Sequence, residues 1–136
     1  MSTFAVRNFE SVKSGGRLSF YKLEKDGICQ IDEFYDEVCK DKTHEREMTR
    51  ILAMMNYMAE NDVLLPKEKF RPIEDGGEVA GYEFKNGTLR IYCVKKNPNV
   101  VVILGGYKKE QKKDIRKLVA TIKEAKSELS EYIMTK

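Results

Sequence analysis

The sequence has no tryptophan, three prolines and a single histidine, His44. One imidazole beside three scattered cysteines is too few soft ligands for a structural zinc site. Cys29, Cys39 and Cys93 are odd in number and form no C-x-x-C pair, which argues against a disulfide framework. Each reads as a small buried hydrophobe in a reducing compartment. No apolar run approaches the ~20 residues needed to cross a bilayer. The opening stretch MSTFAVRNFESVKSGG has no apolar segment of the signal-peptide kind. The expectation is a cytoplasmic protein with no membrane partner, no metal and no other cofactor.

What is abundant is charge, and it is unevenly placed. Residues 85–126 hold 12 Lys or Arg against 3 Asp or Glu, whereas residues 1–84 hold 12 against 17. The formal net charge of +3 therefore hides a dipolar chain whose basic part would attract a polyanion, nucleic acid being the commonest. At 136 residues and 41% hydrophobic, the chain has material for one core and one domain.

Residues 1–16 carry little periodicity and end in Ser14-Gly15-Gly16, which predicts a loose leader before a single domain over 17–136. RLSFYKLEK before Asp26-Gly27 predicts a strand ending in a turn. Ile31, Phe34, Tyr35 and Val38 recur at helical spacing, as do Met48, Ile51, Leu52, Met55 and Met58. Two amphipathic helices follow, the second starting near Thr43 and stopping near Asn61-Asp62. From residue 78 the period changes to that of strands. Asn86-Gly87 predicts a two-residue hairpin, Asn97-Pro98-Asn99 a second turn, and VVVIL at 100–104 a strand buried on both faces. Ile115, Leu118, Val119, Ile122, Leu129 and Ile133 mark one long C-terminal helix. The fold class is α+β, in the order strand, two helices, a three-stranded antiparallel segment and a helix.

An Asn86-Gly87 turn would set Lys85 opposite Thr88, Phe84 opposite Leu89, Glu83 opposite Arg90 and Tyr82 opposite Ile91. Ala80, Tyr82, Phe84, Leu89, Ile91 and Cys93 then share an apolar face, and Glu83, Lys85, Arg90 and Tyr92 a polar one. The strand ending in GGYKKEQKKDIRK would bring Tyr107, Lys108 and Lys109 to the rim of that sheet. An aromatic among fixed cations suits RNA, stacking a base while the cations bind phosphate; Tyr92, Lys112, Lys113 and Arg116 are the candidate RNA contacts. The same cations suit phosphoryl transfer without a metal. The plainer alternatives are an exposed Glu83–Arg90 ion pair and a solvated lysine face on the helix.

Several strings in this order resemble the RelE/ParE superfamily of toxin–antitoxin toxins, in its phage-derived HigB-like branch. They are FYKLEKDG, then IDEFYDEV, then Leu64-Leu65-Pro66, and later Tyr82-Glu83-Phe84-Lys85, Leu89-Arg90-Ile91-Tyr92, the apolar Val100–Leu104 strand and Gly105-Gly106-Tyr107-Lys108-Lys109-Glu110-Gln111-Lys112. The resemblance covers roughly residues 17–130. It implies a RelE-like fold and a metal-independent endonuclease that cuts mRNA on the ribosome and is silenced by a cognate antitoxin. By position, Arg90 would hold the phosphate and Lys85 would carry a proton. Lys108 and Lys109 would support the phosphorane or protonate the leaving oxygen, Tyr107 would supply the aromatic, and Glu83 a base. Lys85 stands where the family commonly has arginine, and Gly105 where it commonly has histidine. Two alternatives stay open: a ParE-like gyrase inhibitor, and a non-enzymatic nucleic-acid or partner-binding module.

Overall fold

The computed structural model describes residues 2–13, 16–61, 65–73 and 81–133. In chain order these form β1 (Phe4–Asn8), β2 (Ser19–Lys25), β3 (Ile28–Cys29), α1 (Gln30–Val38), α2 (Lys42–Asn61), β4 (Phe70–Pro72), β5 (Gly81–Asn86), β6 (Leu89–Lys96) and β7 (Asn99–Tyr107). A 3-10 turn (Lys108–Glu110), α3 (Gln111–Glu124) and α4 (Lys126–Ser130) complete the order. The sheet runs β1-β2-β7-β6-β5-β4, with β3 paired to the end of β2. β2 and β7 lie parallel and the other pairs antiparallel. The architecture is therefore mixed α/β, built on a larger sheet than the three-stranded segment read from the hairpin signals.

The β-branched run of β7 dictates this centre, because Val100 to Leu104 can be removed from water only between two neighbours and two covered faces. Ile31, Phe34 and Val38 of α1 and Met48, Ile51, Met55 and Met58 of α2 pack with Phe20, Phe84, Ile91 and Val102 on one face. Leu118 of α3 and Leu129 of α4 pack with Leu23, Tyr92, Val94 and Val101 on the other. A bulge between Tyr92 and Cys93 shifts the β6–β7 register, and Ile103 and Leu104 consequently both face the α3 side.

Four expectations are corrected. The segment read as a loose leader supplies edge strand β1, which pairs with β2 over Phe4–Asn8, and Phe9 and Val12 are buried in the core. The single C-terminal helix is two, because Ala125 leaves helical geometry at φ −95°, ψ 17°. That bend keeps Leu129 and Ile133 in the core cluster that holds Phe4 and Leu23. The third correction is the β5–β6 register, in which Asn86 pairs with Leu89, Lys85 with Arg90, Phe84 with Ile91, Glu83 with Tyr92 and Tyr82 with Cys93. The fourth, the covering of the polar sheet face, is taken up with the candidate site.

The register moves because the turn is centred on Gly87-Thr88. Gly87 alone of the turn residues takes positive φ, at 58°, as a turn with glycine at its first central position requires. Thr88 is held in place, since its amide and hydroxyl donate to the Glu47 carboxylate of α2 at 3.1 and 2.8 Å. A shift of two residues preserves parity, and the facing of side chains read from the sequence survives for the described residues. Ala80 lies outside them. Gly87→Ala should cost about 1–2 kcal/mol, from the positive φ and from a Cβ that would collide with the Glu47 carboxylate. The urea midpoint reads this directly, and an unshifted midpoint would refute it.

Candidate functional site

The two sheet faces divide the residues that the sequence grouped together. On the α3 side, Glu83 and Tyr92 are 0% exposed and Arg90 7%, so the expected open polar face is covered by α3. The physical reason is that Leu118 and Ile115 must bury their own apolar stripe, and Tyr92, Val94 and Ile103 are the complementary surface. Glu83 does not pair with Arg90. Its carboxylate accepts from Arg71 Nε of β4 and from Gln111 Nε2 at 2.8 and 3.0 Å. Arg90 Nη1 instead donates to the carbonyls of Gly87 and Leu89 at 2.9 and 2.8 Å. Tyr92, expected to contact RNA, is wholly buried, and burial together with the Glu83 charge raises its pKa. Lys85 stays half-exposed, opposite Arg90 in the ladder.

Among the described residues, three buried polar atoms on this covered face have no hydrogen-bond partner: Arg90 Nε, Tyr92 Oη and Asp114 Oδ2. Asp114 lies over Gly106, where a Cβ would strike its carboxylate. Burial, with Glu110 second, raises the Asp114 pKa, while Lys117 and Lys113 work against this. A carboxyl whose folded pKa lies above its unfolded value, about 3.9, stabilises the fold in its protonated form. That contribution is fully present below the unfolded pKa and is lost as pH rises through the folded one. Asp114→Asn should therefore gain stability at pH 7 and not at pH 3. Equal midpoint shifts at both pH values would show that the carboxyl carries no such penalty.

On the α1–α2 side the end of β7 meets the start of α2. Asp41 caps that helix by accepting from the Thr43 amide at 2.9 Å, which turns His44 toward Tyr107. The two rings lie 5.3 Å apart, and His44 Nδ1 is 3.4 Å from Asp41 Oδ2. The Tyr107 hydroxyl donates to Glu37 Oε2 at 2.5 Å, and its ring meets Phe34 edge-on at 5.4 Å. Burial and that hydrogen bond push the phenol up to about 12, so it is neutral at pH 7. Lys108 is fixed through its own amide, which donates to the Thr88 carbonyl at 2.7 Å.

His44, Thr88, Tyr107, Lys108 and Lys109 line one cavity of about 600 Å³. Both lysines are exposed, so their ammonium groups reach water at its rim. Tyr107, Lys108 and Lys109 meet at this cavity, on the α1–α2 side and not at the expected polar face, with His44 and Thr88 rather than with Arg90, Glu83 and Tyr92. His44 went unnoticed in the sequence because it was weighed only as a zinc ligand. The available signal was its place three residues after a helix cap. Lys112 and Arg116 line a different depression, beside β4, and Lys113 is exposed on α3.

Among the described residues no group of three or more His, Cys, Asp or Glu is placed to hold a metal ion, and no helix is long and apolar enough to cross a membrane. Comparison with family models, with curated proteins and with solved structures returns no match for this chain.

Proposed function

We propose that the chain is a toxin of the RelE/ParE type that cuts mRNA on the ribosome without a metal, with its centre in the His44–Tyr107–Lys108–Lys109 cavity. The observation that carries this reading is the convergence of an imidazole, two lysines and a ring on one cavity of about 600 Å³. The element order β2, α1, α2, β5, β6, β7, α3 agrees with the order implied by the resemblance. β1, β3, β4 and α4 are additions to it.

The chemistry is in-line attack of a ribose 2′-oxygen on the adjacent phosphorus. His44, oriented through Nδ1 by Asp41, takes the 2′-hydroxyl proton as the new P–O bond forms. Lys108 and Lys109, reaching in from the rim, face the developing phosphorane charge and stabilise it electrostatically. The P–O5′ bond breaks and a lysine ammonium protonates the leaving oxygen. The products are a 2′,3′-cyclic phosphate and a 5′-hydroxyl end, and solvent returns the protons. Tyr107, its hydroxyl committed to Glu37, positions the imidazole. A cognate antitoxin silences the free toxin.

Induction in cells followed by mapping of mRNA ends on translating ribosomes tests this. The expected result is new 5′-hydroxyl ends within ribosome-covered codons, absent when His44 is replaced by Gln. Growth arrest with unchanged mRNA ends and a supercoiling defect would establish the gyrase-inhibitor alternative instead.

A further inference from the structure

On the opposite side of the sheet, α3 and edge strand β4 enclose a groove of about 630 Å³. Its lining takes Lys67, Arg71 and Ile73 from in and around β4 and Lys112, Ile115 and Arg116 from α3. Lys112 and Arg116 lie four residues apart on α3, so they project from one helix face about a turn apart. Arg71 is engaged by Glu83 yet remains 44% exposed, and no carboxylate is among the described residues lining the groove. Four cations around a depression whose described lining holds no acid favour an anionic occupant.

The lining decides the class of that occupant. A groove for single-stranded nucleic acid pairs its cations with aromatic faces on which bases stack, and none of the described residues lining the groove is aromatic. Its apolar lining, Pro72, Ile73 and Ile115, is aliphatic instead, which bases use poorly and Leu, Ile or Val side chains use well. Guanidinium groups such as Arg71 and Arg116 fit carboxylates in a two-bond fork. We infer that the β4–α3 groove binds an acidic, amphipathic peptide segment of a partner protein, its carboxylates on the four cations and its aliphatic side chains on Ile73 and Ile115. This stands apart from the ribonuclease reading, and its test measures binding alone.

The test titrates the full chain with three labelled probes at physiological salt: a short peptide alternating Glu and Leu, one alternating Glu and Ser, and oligouridylate. The Glu-Leu peptide is expected to bind saturably and about tenfold more tightly than the Glu-Ser peptide, a difference of about 1.4 kcal/mol from apolar contact. Lys112→Glu with Arg116→Glu should weaken it at least about tenfold, whereas the equally charged pair Lys123→Glu with Lys126→Glu should not. All four positions are exposed, and circular dichroism checks that the variants fold. Equal affinity for the two peptides, tighter binding of oligouridylate through the same residues, or insensitivity to the Lys112 and Arg116 reversal would each overturn the assignment.

Discussion

His44→Ala is expected to lower single-turnover cleavage on programmed ribosomes by about two to four orders of magnitude, the range that a positioned general base contributes. Lys108→Ala with Lys109→Ala should cost about two to three orders, comparable to removing a donor from developing oxyanion charge. Combining all three should cost less than the sum, because the groups serve one transition state. None of this should arise from unfolding. Lys108 and Lys109 are exposed, and the His44 side chain, one turn before Met48 at the exposed end of that helix's Met48–Met58 stripe, retains 28% exposure and is not among the buried core residues. Ribosome binding measured by sedimentation separates a lost chemical step from lost docking. Rates like that of the unaltered chain in both variants would remove this cavity from consideration as the cleavage centre.

The sequence made the elements easier to read than their docking. The Ile31–Val38 and Met48–Met58 stripes could be seen because each buries one face of a helix, and the Val100–Leu104 run because a strand covered on both sides has no polar alternation. β1 and β4 are edge strands of five and three residues, each paired with one strand among the described residues, and their existence depends on the strands they extend more than on their own pattern. The parity of Glu83, Arg90 and Tyr92 was also legible, whereas their burial was not. An amphipathic α3 must cover some apolar surface, but its stripe does not say which. The meeting of His44 with Tyr107 was illegible for a related reason, since it depends on how α2 crosses the sheet. Glu47, which ties α2 to the Gly87-Thr88 turn, sets that crossing.

Arg90 separates the cavity from the covered face most sharply, because the two sites assign it opposite roles. A catalytic arginine would be dispensable for folding, and its loss would appear in the rate. In the structure Arg90 is 7% exposed, with Nη1 shared between the carbonyls of Gly87 and Leu89. Hydrogen bonds from a charged donor contribute about 1.5–3 kcal/mol each, and truncation also removes the packing of the aliphatic stem. Arg90→Ala should therefore destabilise the fold by about 2–4 kcal/mol while leaving cleavage per folded molecule within a factor of about three. Arg90→Met should cost less, since it keeps the stem and removes a buried charge whose Nε has no hydrogen-bond partner among the described residues. Guanidinium chloride unfolding, paired with cleavage rates corrected for the folded fraction, distinguishes the two roles. A hundredfold slower rate with an unchanged unfolding midpoint would return the cleavage centre to the face beneath α3, and would require that helix to move aside before RNA could reach it.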